Sequence, residues 1–198
     1  MESIYRMSVG LIYFFQMAAL TIFYRKTGDN RILYEPGRET RLLMTIRSAW
    51  VFAVIASICL YVVFPLSLKW GELHLGDTVR VSGIIAGIAS DALILWILAS
   101  LGRNISAGLK VRDSHRLVTE GPYRYVRHPL YSAGIPLFLA ISLISSNWIP
   151  GFVGIGFQLF IMVVRTPSEE KMMIEHFGDE YRSYIRKTGA FFPRIRTF

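Results

Sequence analysis

Cysteine is almost missing from this 198-residue chain: Cys59 stands alone, which excludes an intrachain disulfide framework and a cysteine metal cluster. It falls in an apolar stretch, where a free thiol is expected to pack as a small hydrophobe. Charge is scarce too. Only 18% of residues are Asp, Glu, Lys or Arg against 53% hydrophobic, and the mean hydropathy is +0.40. Soluble domains carry about 25% charged residues, so the composition points to the membrane class. Acids are the scarcer sign, 14 against 22 bases, for a net charge of +8. The cations fall in blocks between apolar runs rather than along one polar face, which argues for membrane topology and against a nucleic-acid partner.

Common catalytic signatures are also missing. There is no G-x-x-x-x-G-K-[ST], no G-x-G-x-x-G after a strand, no H-E-x-x-H and no G-x-S-x-G, which excludes soluble nucleotide-site architecture. His74, His115, His128 and His176 do not share a helix face, so no metal site is expected. No internal repeat or linker divides the sequence, and a single domain over residues 1–198 is the simplest reading. No A-x-A cleavage site follows the first apolar run, which is therefore expected to be a retained helix.

Long apolar runs are what the chain does have. Met7 to Tyr24, Leu43 to Leu66 and Val79 to Leu101 each approach the roughly 20 residues that a spanning helix needs. Ser132 to Val164 is apolar as well but is interrupted by Ser145-Ser146-Asn147-Trp148-Ile149-Pro150-Gly151, a turn signature that predicts a helical hairpin with short arms. Arg25, Lys26, Arg31, Arg38, Arg41 and Arg47 follow the first run; Arg103, Lys110, Arg112, Arg116, Arg124 and Arg127 follow the third; the tail from Arg165 adds Lys171, Arg182, Arg186, Lys187, Arg194 and Arg196. Because short loops rich in Lys and Arg stay cytosolic, the expectation is an all-α integral membrane protein with five transmembrane helices. Its N-terminus lies outside and its C-terminus in the cytosol. Residues 1–101 hold three spans, and 102–198 hold a cytosolic loop, the hairpin and an amphipathic helix over Glu169 to Lys187. That helix sets Met172, Met173, Phe177, Tyr181 and Tyr184 on its apolar side.

The third cytosolic loop is dense in chemistry-bearing residues: His115-Arg116-Leu117-Val118-Thr119-Glu120-Gly121-Pro122-Tyr123, then Arg127-His128-Pro129-Leu130-Tyr131. Arg165-Thr166-Pro167-Ser168-Glu169-Glu170 and Phe177-Gly178-Asp179-Glu180-Tyr181, with Tyr184, follow. These motifs, over about the C-terminal half, resemble the isoprenylcysteine carboxyl methyltransferase family and, more loosely, the phospholipid methyltransferases. The resemblance implies S-adenosylmethionine as cofactor, bound between the loop and the C-terminal helix. His115, Arg116, Leu117, Val118, Tyr123, His128, Pro129, Leu130 and Tyr131 would line that pocket, with Glu169 facing it and Arg165 holding the substrate. Gly108 stands where eukaryotic members carry a cofactor-contacting Gln.

The residues also have readings of their own. Pro129 lacks an N–H and disfavours helix at His128, so backbone groups are left to point at a ligand. Tyr123 and Tyr131 offer ring faces to adenine or a sulfonium, or simply anchor helix ends at the interface. Arg165 either clamps a carboxylate or snorkels at the membrane boundary. Glu169 and Glu170 open a helix after Pro167, where acids are favoured. Asp91, among Ser82, Gly83, Ala86, Gly87 and Ser90, is a functional acid or an interhelical hydrogen-bonder, and the small-residue stripe serves either a dimer or internal packing. Asn104 and Ser106 cap a helix or reach the cofactor.

The resulting expectation is methyl transfer to a lipophilic or prenylated substrate entering from the bilayer, with membrane lipids as the other partners and a prokaryotic cell membrane as the location. A carboxylate acceptor makes Arg165 the main catalytic residue and needs no base; an amine acceptor needs one, with Glu170 or Asp91 as candidates. A sterol-reductase-like enzyme using NADPH and a non-catalytic membrane module are the competing classes. Oligomeric state is open.

Overall fold

The structure, a computed structural model, describes residues 1–26, 41–104 and 116–194. Arg31, Arg38, Ser106, Gly108, Lys110, Arg112, His115 and Arg196, named above, lie outside the described residues. The helices are α1 (Glu2–Lys26), α2 (Arg41–Val63), α3 (Asp77–Leu101), α4 (Pro129–Ser145), α5 (Trp148–Val164), α6 (Thr166–Phe177) and α7 (Asp179–Lys187), with 3-10 turns at Pro65–Gly71, Gly102–Asn104 and Gly121–Arg124. No strand occurs among the described residues. The chain is all-α, and α1, α2 and α3 are each long and apolar enough to cross a membrane. A fourth candidate span combines α5 and α6 across a 40° bend, and α4 is a shorter apolar helix.

Local chemistry explains where the helix ends depart from the hydropathy reading. Helix α2 stops at Val63 rather than Leu66 because Phe64 precedes Pro65, whose ring disfavours helical backbone before it. Helix α1 starts five residues early, at Glu2, because its polar residues find partners. Arg80 donates to both Glu2 carboxylate oxygens at 2.7 and 3.0 Å, and Tyr5 donates to Asp77 at 2.8 Å. The Arg80 guanidinium also donates Nε to the Ile144 carbonyl at 2.8 Å and lies 3.8 Å from the Tyr5 ring centroid. One buried arginine thus joins α1, α3 and α4 at the end of the bundle opposite the motif loop.

The hairpin forms as expected, but its turn narrows to Ser146 and Asn147. Ser146 is left-handed (φ 49°), and Asn147 caps α5 by accepting from the Ile149 N–H at 2.9 Å. Pro150 and Gly151 lie inside the first turn of α5, where a missing N–H costs nothing. A Cβ on Gly151 would sit 1.9 Å from Ser142 Oγ, so glycine here permits the close approach of the two arms.

Helix α3 is the centre of the bundle, with Ile94, Ile97 and Leu98 packed on Leu137, Ile141 and Ile144. A Cβ on Gly83 would meet Leu143 at 2.9 Å, and one on Gly87 would meet Ile12 at 2.7 Å. The glycines of the α3 stripe therefore serve packing inside the chain, against α4 and α1. Asp91 is buried, and its Oδ1 has no hydrogen-bond partner. Cys59 departs from expectation. It is exposed on the outer face of α2, because the buried face is the Val54, Ser57, Ile58, Tyr61 stripe and residue 59 falls off it.

The expected helix over Glu169 to Lys187 is two helices, starting at Thr166 and broken at Gly178 (φ 54°, ψ −125°). That backbone region is open essentially to glycine alone. The break leaves Met172, Tyr181 and Tyr184 all buried.

Candidate active site

The segment entering α4 is held from the C-terminal side. Arg127 and His128 donate their N–H groups to the Gly189 and Ala190 carbonyls, each at 2.9 Å, and Arg127 Nη1 donates to the Thr188 carbonyl at 2.5 Å. Tyr184 of α7 donates its hydroxyl to the Tyr123 carbonyl at 2.5 Å. Ser132 donates to the Phe191 carbonyl at 2.7 Å. His128 has non-helical backbone (φ −121°, ψ 57°) immediately before α4, in keeping with the following proline, which disfavours helix at the residue before it. Nearby, Asn104 accepts from the Arg116 N–H at 2.9 Å and so anchors the described start of the motif loop.

His128 lies between two consecutive carboxylates of α6. Its Nδ1 is 3.4 Å from Glu169 Oε2, and its Nε2 is 3.3 Å from Glu170 Oε1. Both ring nitrogens can donate only when the imidazole is protonated. Burial alone would push its pKa down, but the hydrogen bonds to Glu169 and then Glu170 outweigh it, and the pKa is raised. Glu169 Oε1 accepts from Tyr131 and from Arg165 Nε, each at 2.7 Å. Burial acts to raise the Glu169 pKa, yet His128, Arg165 and Tyr131 together hold it below the ordinary range. Glu170 is lowered chiefly by its hydrogen bond with His128, against burial, and is further stabilised by Arg127 Nε at 2.8 Å. The His128 and Tyr131 rings stack with centroids 5.8 Å apart and planes 5° from parallel. Burial pushes the hydroxyls of Tyr123, Tyr181 and Tyr184 upward.

These groups border a cavity of about 310 Å³. Arg116, Leu117, Val118, Tyr123, His128, Pro129, Leu130, Tyr131, Arg165 and Glu169 all line it, so ten residues singled out in the sequence converge on one space. Glu170 is not in its wall; its carboxylate is turned to Arg127 and His128. His115 lies outside the described residues. The wall also includes residues that the motifs do not contain: Tyr24 of α1, Arg47 of α2, Leu98 and Leu101 of α3, and Phe157, Gln158 and Ile161 of α5. Met172, Met173, Phe177, Tyr181 and Tyr184, the apolar side read for the C-terminal segment, complete it. The cavity wall therefore combines charged and apolar side chains drawn from all seven helices. Among the described residues, no three His, Cys, Asp or Glu side chains are grouped to hold a metal.

Residues 83–175 match the model of the isoprenylcysteine carboxyl methyltransferase (ICMT) family. A nickel-cobalt-cadmium resistance protein of Alcaligenes xylosoxydans xylosoxydans is 25% identical over 75% of this chain and 65% of its own length. Protein-S-isoprenylcysteine O-methyltransferase B of Arabidopsis thaliana is 29% identical over 74% of this chain and 73% of its own. The solved structure of a eukaryotic intramembrane Ras methyltransferase, ICMT, superposes with a TM-score of 0.54 at 16% identity, covering 95% of this chain and 68% of that one. Relatives thus extend beyond the matched region, by about a third of the Alcaligenes protein.

Proposed function

We propose that the chain, whose residues 83–175 match the isoprenylcysteine carboxyl methyltransferase model, is a member of that family and an integral membrane methyltransferase esterifying the carboxylate of a lipid-like, isoprenylcysteine-like acceptor. The observation that carries this reading is the pairing of Arg165 with Glu169 in the wall of a cavity whose other lining residues are mostly apolar or aromatic. A guanidinium there can take a carboxylate headgroup while the apolar wall takes its chain. Arg165 presents a planar fork of donors, of which Nε pairs with Glu169.

S-adenosylmethionine fits the donor set on the charged side. Glu169 is a buried carboxylate suited to a cationic amine. Tyr123 and Tyr131 supply aromatic rings for adenine or a sulfonium, and Arg116, Leu117 and Val118 line the same cavity. Bound there, the cofactor would supply an electrophilic methyl group on sulfur. The rest falls to the protein. The acceptor carboxylate is already an anion and needs no base, so Arg165 orients it and the enclosed site strips its water. Glu170, His128 and Arg127 act as positioning residues: their pairing fixes Glu169 and the turn into α4. The lowered pKa of Glu170 and its ion pair with Arg127 weigh against a general-base role on an amine acceptor.

We read residues 1–198 as one domain with five spans, α1 to α5, the N-terminus outside and the motif loop and α6–α7 in the cytosol. At 1.5 Å per residue, the 17-residue α4 and α5 reach about 26 Å, short of a hydrocarbon core of about 30 Å, so a locally thinned bilayer accommodates them. The bend at Arg165 marks the cytosolic boundary. Similarity to the Alcaligenes protein supports a prokaryotic cell membrane.

The test is transfer of radiolabelled methyl from S-adenosylmethionine to N-acetyl-S-farnesylcysteine by detergent-purified protein, with the product challenged by alkali. An alkali-labile methyl ester is expected. Label in an alkali-stable phospholipid amine, or none in protein that binds the donor calorimetrically, would overturn the carboxyl reading.

A further inference from the structure

Helix α5 carries one polar side chain in its whole length, Gln158, which lines the cavity together with Ile161 and Arg165. The facing helix is cleared for it: a Cβ on Gly134 of α4 would fall 1.6 Å from Gln158 Nε2 and 2.4 Å from its Cδ. An amide in a spanning helix ordinarily serves as glue, hydrogen-bonding to the neighbouring helix. Gln158 does not. Among the described residues it makes no hydrogen bond, and α4 meets it with a glycine that offers no side chain. A polar group kept within a spanning helix and facing a cavity without a partner marks a functional position.

Resting on the carboxyl methyltransferase reading, we propose that Gln158 is a specificity-determining residue that hydrogen-bonds a second polar group of the acceptor. Gln158 and Arg165 stand seven residues apart on the cavity side of α5, about 10 Å along the helix axis. The acceptor class is therefore an anionic amphiphile with a hydroxyl, amide or ester oxygen about 10 Å from its carboxylate, rather than a chain that is apolar throughout. A wholly apolar chain would bury the Gln158 amide unsatisfied, which costs about 1–3 kcal/mol.

The experiment uses the full chain in detergent and two N-acetylcysteine thioethers. One carries a plain dodecyl chain, the other the same chain with a mid-chain hydroxyl about 10 Å from the carboxylate. Methyl transfer is measured alongside the shift of the thermal unfolding midpoint that each probe produces. Wild type is expected to favour the hydroxylated probe about tenfold in kcat/KM, through KM. Gln158→Leu and the length-matched Gln158→Met should erase the preference while leaving the calorimetric affinity for S-adenosylmethionine in place. Equal handling of both probes by wild type would overturn the proposal, as would a variant that loses both probes alike or loses the donor. Methyl transfer without preference sinks Gln158 and keeps the methyltransferase reading. A Gln158-dependent midpoint preference with no methyl transferred does the reverse, and no binding of either probe sinks both.

Discussion

Arg165 donates Nε to Glu169 one helical turn further on, at 2.7 Å, and both side chains are largely buried in the cavity wall. Truncating Arg165 leaves Glu169 with His128 and Tyr131 alone and removes the guanidinium that takes the acceptor carboxylate; truncating one partner of a buried charge pair typically costs about 2–5 kcal/mol. Arg165→Ala should therefore lower carboxyl methylation by at least about 100-fold, and Arg165→Lys should not rescue it, since an ammonium lacks the planar fork. Single-turnover assays with donor binding measured in parallel would decide. Near-normal turnover in either variant would remove the clamp.

The pH response follows from His128 and its two carboxylates. His128 has a raised pKa, so its contribution is complete below its ordinary value of 6.5 and fades as pH climbs through the raised one. Glu169 and Glu170 have lowered values, so theirs is complete above the ordinary 4.5 and fades as pH falls through the depressed ones. The network should contribute most between pH 4.5 and 6.5. Unfolding midpoints of wild type and His128→Gln across the pH range should differ most in that window and converge on the alkaline side. A gap independent of pH would refute the charge argument.

At the opposite end of the bundle, Arg80 is buried while its partner Glu2 is half exposed, so the ion pair is partly screened. The carbonyl bond to Ile144 and the stacking on Tyr5 carry the greater share. Arg80→Ala is expected to destabilise by about 2–4 kcal/mol, and Glu2→Gln by distinctly less, read from thermal unfolding in detergent. If the two variants were equal, the weight would lie in the ion pair after all.

Gly178 has nothing within 4 Å of where a Cβ would sit, so its replacement costs backbone strain alone. Gly178→Ala should destabilise by about 1–3 kcal/mol and weaken the Tyr184 hold on the motif loop. Hydrogen exchange at Tyr125 and Val126 amides would report it; unchanged protection would show that α6 and α7 dock independently of their joint.

Much of this arrangement is readable from sequence, because a membrane imposes long apolar runs and a cavity lined by charged and aromatic groups draws on a dense motif. The apolar helices α2 and α3, and the convergence of Arg116 to Tyr131 with Glu169, come from those two constraints. Tyr24, Arg47 and Gln158 escape because no local pattern tells a cavity-facing side chain from its neighbours on the same helix; only the packing of α1, α2 and α5 decides it. Glu169 and Glu170 illustrate the same limit. They are adjacent and chemically identical, yet one lines the cavity and the other turns to Arg127, a difference of about 100° around a helix that sequence expresses only once the helix is docked. Cys59 fails for the related reason that, in a chain facing lipid, apolar surroundings in sequence do not mean an interior position.

The bonds from Gly189 and Ala190 to Arg127 and His128 also fix a chronology. Those carbonyls leave the ribosome after every span has been made, and domains are built from the N-terminal side during synthesis. Helices α1 to α5 are thus complete before the partners of Arg127 and His128 exist, so the turn into α4 is the part of the site that closes last.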